Sequence, residues 1–101
     1  MIKITKSFTR PNNNIEWWQK LQESVALESY RTTTYSSKMS KHSIVGSADG
    51  LSWTYNVLWN SQEDYDAYLA DPKVIECNEA RKAYNAQNGI IESDTEITPI
   101  D

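Results

Sequence analysis

The chain has one cysteine, Cys77, so no disulfide can form within it, and it contains no Asn-x-Ser/Thr triplet. Both absences point to an intracellular, cytoplasmic protein. Histidine is as scarce. His42 stands alone among Ser40, Lys41 and Ser43, without the companions a metal site needs, and reads as a strand surface residue. No apolar run approaches the ~18 residues that span a bilayer. The start, Met1-Ile2-Lys3-Ile4-Thr5, lacks the charged-then-apolar layout of a signal peptide. A glycine-rich phosphate loop, a Ser-His-Asp set and paired cysteines are all missing. With three glycines and three prolines there is no linker or low-complexity tract, and residues 1–101 are expected to form one domain. Acids outnumber bases, and the net charge of −4 argues against a nucleic-acid or membrane-surface partner.

What the chain has in quantity is aromatic side chains, four tryptophans and six tyrosines. The stretch from Leu51 to Gly89 organises them. Leu51, Trp53, Tyr55, Val57 and Trp59 alternate with mostly polar residues, the period-two signature of a half-buried strand. At roughly 1.5–3 kcal/mol per buried side chain, such a face has to be covered. Ser61 is placed to cap a following helix, with Asp64 at its third position and Tyr65, Tyr68 and Leu69 on its buried face. Asp71-Pro72 breaks that helix and recaps it. It resumes with Val74, Cys77, Ala80 and Tyr84 on one side and ends at Asn88-Gly89. Cys77, on that side, reads as a buried, inert thiol.

Upstream, Ile2, Ile4 and Phe8 share one parity of a strand over residues 2–9. Asn13 with Glu16 resembles a capping box, and Ile15, Trp18, Leu21/Gln22 and Val25 recur at helical spacing, with Trp17 off the stripe against a neighbouring loop. Residues 29–41 read as a loop feeding a strand at about 41–47, and Asp49-Gly50 marks a hairpin. Ile90-Ile91 opens a last strand with Glu92, Asp94 and Glu96 on one face. The order β-α-β-β-α-β is the ferredoxin-like arrangement, an α+β fold with a four-stranded antiparallel sheet and two helices on one face. The bare sheet face would then suit a second copy. Acids are absent between Glu28 and Asp49, and bases are absent after Lys82. This split suggests that Lys38 and Lys41 of one subunit approach Glu92, Asp94 or Glu96 of the other.

The junction Trp59-Asn60-Ser61-Gln62-Glu63-Asp64-Tyr65-Asp66-Ala67-Tyr68-Leu69 resembles the W-x-S-x-E/D-x-aromatic junction of the dimeric α+β barrel superfamily, which includes small antibiotic-biosynthesis and haem-degrading monooxygenases. The resemblance implies a homodimer and places the Trp59 face toward the helices. Haem-degrading members use a strand-end tryptophan, a histidine on the second helix and an asparagine on the first strand. Trp59 matches the first, but Asn78 stands at the histidine position and Ser7 is the nearest equivalent of the asparagine, so no haem and no other cofactor is expected. Cofactor-independent monooxygenase chemistry needs an apolar pocket with hydrogen-bonding groups, which Trp59, Tyr55, Asn56, Tyr65 and Tyr68 would supply. Three functions follow: binding of a small apolar or aromatic molecule in a sheet–helix cavity lined by these residues and Asn78, a cofactor-independent monooxygenase on an aromatic substrate, or a non-catalytic interaction module.

Overall fold

A computed structural model describes residues 1–100, without the side chains of Lys41 and His42. The surface reading of His42 and the intersubunit role of Lys41 lie outside the described residues. The elements are β1 (Ile2–Thr9), a 3-10 turn (Trp18–Lys20), α1 (Gln22–Thr34), β2 (Met39–Gly46), β3 (Ser52–Trp59), α2 (Gln62–Leu69), α3 (Pro72–Asn88), β4 (Ile91–Glu92) and β5 (Glu96–Pro99). The antiparallel sheet runs β2-β3-β1, with β4 and β5 successively on the outer edge of β1. The expected last strand is therefore split. Ser93 bridges the break, its N–H donating to the Ser7 carbonyl and its hydroxyl accepting from the Ser7 N–H, each at 2.9 Å. With that strand counted once, the arrangement is the expected βαββαβ.

The helices cover the aromatic face of β3. Trp53, Val57 and Trp59 are buried, and on β1 so are their register partners Phe8, Ile4 and Ile2. The face thus needs no second copy to keep it dry. The opposite face is polar: the Thr5 hydroxyl donates to Asn56 Oδ1 at 2.8 Å, and the Ser7 and Thr54 hydroxyls lie 3.0 Å apart. Asn56 therefore points away from the helices.

Two local readings change. Asn13 does not cap a helix. Its Oδ1 accepts from Arg10 Nη2 at 3.0 Å and its amide donates to the Asp49 carbonyl at 3.3 Å. Arg10 also donates to the carbonyls of Gly50 and Ile15 and stacks on Trp17, so residues 10–15 are clamped onto the hairpin loop. Gly50 serves that contact with φ +76°, and a Cβ there would lie 2.6 Å from Asn13 Oδ1. The backbone at Trp17 is extended, which lets both Trp17 and Trp18 turn inward, Trp17 edge-on to Trp53 at 5.5 Å. The helix begins later, at Gln22, and runs through residues 29–34, where a loop was expected; Val25 is exposed.

The downstream half follows its sequence signals closely. Ser61 Oγ accepts from the Asp64 N–H at 3.1 Å, and Asp71 Oδ1 accepts from the Lys73 N–H at 2.9 Å with Pro72 opening α3. Gly89, at φ +71°, closes it. Leu69 is exposed and Cys77 half-buried, its thiol pKa raised first by burial. Lys38 and Glu92 are engaged within the chain, Lys38 with Asp64 at 3.3 Å and Glu92 with Arg81 at 3.3 Å and Lys6 at 3.5 Å. That leaves the expected intersubunit pairing only Asp94 and Glu96 on the acidic side.

Asp71 ties α1 to α3: the Tyr30 and Tyr35 hydroxyls both donate to its Oδ2, at 2.5 and 2.7 Å. These bonds hold its carboxyl below the ordinary 3.8 and push Tyr35 up to about 12. The depressed carboxyl stabilises the fold above its unfolded pKa, and that stability is lost as pH falls through the folded value. The raised phenol stabilises the fold below its unfolded pKa of 10.0, and that stability is lost as pH climbs toward about 12. The thermal midpoint should therefore drop below about pH 4 and above about pH 10. Asp71→Asn, which can still cap α3, should flatten the acid limb in pH-resolved melts. An unchanged acid limb would remove this account of Asp71.

Candidate functional site

The covered interior is divided. One apolar cluster gathers Ile2, Ile4, Val57, Trp59, Tyr65, Tyr68 and Val74; the other gathers Phe8, Trp17, Trp53 and Ile90. A cavity of about 520 Å³ is walled by members of both. Between the clusters the β1–β3 ladder carries a polar pair: Lys6 on β1 stands opposite Tyr55 on β3, with Ile44 of β2 beyond it. The helical wall comes from α1, whose inward stripe is Ser24, Leu27, Glu28 and Arg31, and from α2 and α3 through Tyr65, Tyr68, Asn78, Arg81 and Lys82.

Of the residues singled out from the sequence, Trp59, Tyr55, Tyr65, Tyr68 and Asn78 line this cavity, whereas Asn56 lies on the other sheet face. Trp59 is the centre of an aromatic group, 4.9 Å from the Tyr68 ring, 5.8 Å from Tyr65 and 5.9 Å from Tyr35. The α2 cap sets that contact, since a helix beginning directly after β3 must lay Tyr65 and Tyr68 back over the strand end.

Arg31, Lys6, Arg81 and Trp53 also line the cavity and were not anticipated. Lys6 carried a signal, a lysine on the apolar parity of β1. Arg31 carried none, because α1 lacks a clean apolar stripe. Arg31 is buried, at 7% exposure; its Nη1 donates to the Tyr55 hydroxyl, and its Nη2 lies 4.0 Å from Glu28. Arg81 donates to Asn78 Oδ1 at 2.7 Å and faces Glu92, which also accepts from Asn85 at 2.8 Å. Burial works against the Glu92 charge, but Asn85, Arg81 and Lys6 together hold its carboxyl below the ordinary value.

Burial pushes Tyr55 up to about 12 and raises Tyr65 and Tyr68 as well. All three phenols therefore stay neutral near pH 7 and serve as hydrogen-bonding groups, not as bases. Among the described residues no group of three or more His, Cys, Asp or Glu is arranged to hold a metal. The chemistry on offer is a deep aromatic wall with a set of positive and neutral donors.

The topology is that of the ferredoxin-like fold. No family model matches the chain, and no curated protein matches it in sequence. Solved structures match over nearly all of it. A variant of SnoaB, a cofactor-independent oxygenase from Streptomyces nogalater, is 15% identical, with 98% of this chain and 91% of that one covered at a TM-score of 0.68. A dimeric ferredoxin-like protein from an uncultured marine organism is 7% identical (98% and 94% covered, TM-score 0.59). An antibiotic biosynthesis monooxygenase is 13% identical (100% and 97% covered, TM-score 0.52). At these identities the likeness establishes the fold. Among the described residues, no helix is long and apolar enough to cross a membrane.

Tyr55→Phe removes the hydroxyl that accepts from Arg31 and leaves a buried guanidinium with one partner fewer. A loss of about 1.5–3 kcal/mol in denaturant unfolding is expected. A change below about 0.5 kcal/mol would mean that the Arg31–Tyr55 bond is not formed in solution.

Proposed function

We propose that this chain binds a small, largely apolar and aromatic molecule in the sheet–helix cavity and works as a homodimer. The observation that carries the reading is the divided core. About 520 Å³ is open between two apolar clusters, within the range of about 300–1,000 Å³ typical of ligand pockets. Trp18, Trp53 and Trp59 all line it, so occupancy should be visible in their emission. Titration with a panel of two- and three-ring aromatics should give saturable quenching, with a fitted site number of one per chain. Absence of saturable quenching across the panel would defeat the proposal. For the dimer, support comes from the named dimeric relative in fold and from exposed apolar residues on edge strands, Val45 and Ile44 of β2 and Ile97 of β5. Sedimentation at micromolar concentration should report twice the chain mass, and a monomer there would remove that half of the reading.

The oxygenase reading has a specific support of its own, the fold shared with SnoaB together with Trp59 at the strand–helix junction. In this reading the substrate brings the electrons and dioxygen is the oxidant, with the aromatic wall holding the substrate. Electron-rich phenolic polycycles should then consume oxygen without added cofactor. Trp59→Phe should slow uptake at least about tenfold, equivalent to about 1.4 kcal/mol in the barrier, without loss of the folded signal. Equal rates with and without protein across such substrates would set this reading aside and leave the binding reading standing. A purely structural interaction module gains no comparable support, because it gives the cavity no role.

A further inference from the structure

Among the described residues, two donors in this interior have no acceptor. Arg31 Nε and the Trp53 indole N–H are buried and make no hydrogen bond, on side chains only 7% and 8% exposed that both line the cavity. Buried donors are nearly always satisfied, and an orphaned one costs the full desolvation of the group. The guanidinium is open at Nε. Nη1 is taken by Tyr55, the Tyr68 phenol also pairs with the guanidinium, Nη2 lies 4.0 Å from the Glu28 carboxylate, beyond hydrogen-bond range, and Nε has nothing. An Nε/Nη2 edge is the fork that receives both oxygens of a carboxylate.

The charge of the wall agrees. Lys6, Lys20, Arg31, Arg81 and Lys82 line the cavity against a single acid, Glu28, in a chain whose net charge is −4. Lys6 and Arg81 are balanced by Glu92, but Lys20 and Lys82 form no ion pair with any described residue. A bare aromatic hydrocarbon would leave both orphaned donors unanswered.

We propose that the cavity selects aromatic carboxylates, with the Nε/Nη2 edge of Arg31 as the carboxylate seat and the Trp53 indole N–H as a donor to a second ligand oxygen. This rests on the reading of the cavity as a ligand site. Trp53 and Tyr55 are two residues apart on one face of β3, a backbone step of roughly 6.5–7 Å. A ligand meeting both donors would carry oxygens at two separate positions on its ring system. Arg31 is then a specificity-determining residue, and the Tyr55 hydroxyl positions it.

The test compares 2-naphthoate, 6-hydroxy-2-naphthoate and the neutral 2-naphthylmethanol by tryptophan emission and calorimetry at pH 7. Naphthoate should bind about tenfold or more tightly than naphthylmethanol, as expected for a charge-assisted bidentate contact. Arg31→Met should abolish that preference while still binding naphthylmethanol, and Arg31→Lys, which keeps the charge but loses the fork, should retain only part of it. The 6-hydroxyl should add a few-fold in affinity that Trp53→Phe removes. Equal affinity for naphthoate and naphthylmethanol in the native chain would overturn the carboxylate seat and leave the binding reading intact. If no ligand binds, the cavity reading itself fails. Should Arg31→Met not fold, Arg31→Lys and the native preference decide: a preference undiminished in Arg31→Lys assigns selectivity to the lysines at the mouth and overturns the role of Arg31.

Discussion

Lys6 lies on the same face of β1 as Ile2, Ile4 and Phe8, and its ammonium donates to the Ser93 carbonyl at 3.0 Å. A charge so close to the apolar interior is favoured by a nearby anion. Glu92 supplies it, at 3.5 Å, and is itself held by Arg81 and Asn85 from α3. One lysine on an apolar parity thus commits the end of α3 and the start of the last strand to a polar cluster. Tyr55 faces Lys6 across the ladder, and Arg31 descends from α1 onto the Tyr55 hydroxyl. This polar pair on β1 and β3, with Arg31 above it, lies between the two aromatic clusters.

Dividing the core is costly in a chain of this size. With 101 residues the fraction of surface that folding removes from water is modest, a little over 60% as an approximate expectation. Trp59, Val57 and Val74, each at 2% exposure or less, concentrate the packing around the α2 junction. The second cluster depends on Trp17 against Trp53 and on the Arg10 clamp that holds the preceding loop. Between them the interior gives up close packing, which ordinary cores maintain to within about a methyl group. A void of this size, ringed by donors, is easier to understand as a site than as a defect of packing.

The legible parts of the sequence were those where one local rule acts alone. The alternation over Leu51–Trp59, the Ser61 cap, the Asp71-Pro72 break and the Gly89 stop each have a single physical cause, and each appears where that cause acts. The region from Asn12 to Thr34 was illegible because tertiary demands override its local signals. Asn13 is an adequate cap by chemistry, yet Arg10 and the hairpin carbonyl take it first. The inward stripe of α1 is Ser24, Leu27, Glu28 and Arg31, which no hydrophobic periodicity can reveal because it faces a cavity and not a packed core. For the same reason sequence found the aromatic half of the candidate site and missed its charged half. Asn56 was misplaced by parity alone, being one residue from Tyr55 and therefore on the opposite face.

The balance of donors over bases constrains what the cavity can do. Its phenols are held neutral, the carboxamide oxygen of Asn78 is already taken by Arg81, and Glu92 is held ionised within its own pairing. Among the described residues lining the cavity the one carboxylate is Glu28, which lies 4.0 Å from Arg31 Nη2, so removing a proton from a bound molecule would rely mainly on stabilising the resulting anion. A wall of guanidinium, indole N–H and phenol donors does that by lowering the pKa of the ligand, not by accepting its proton. The proposed ligand binding and the oxygenase reading would therefore draw on one property of the interior, its surplus of donors, to which Lys6 on the apolar parity of β1 contributes.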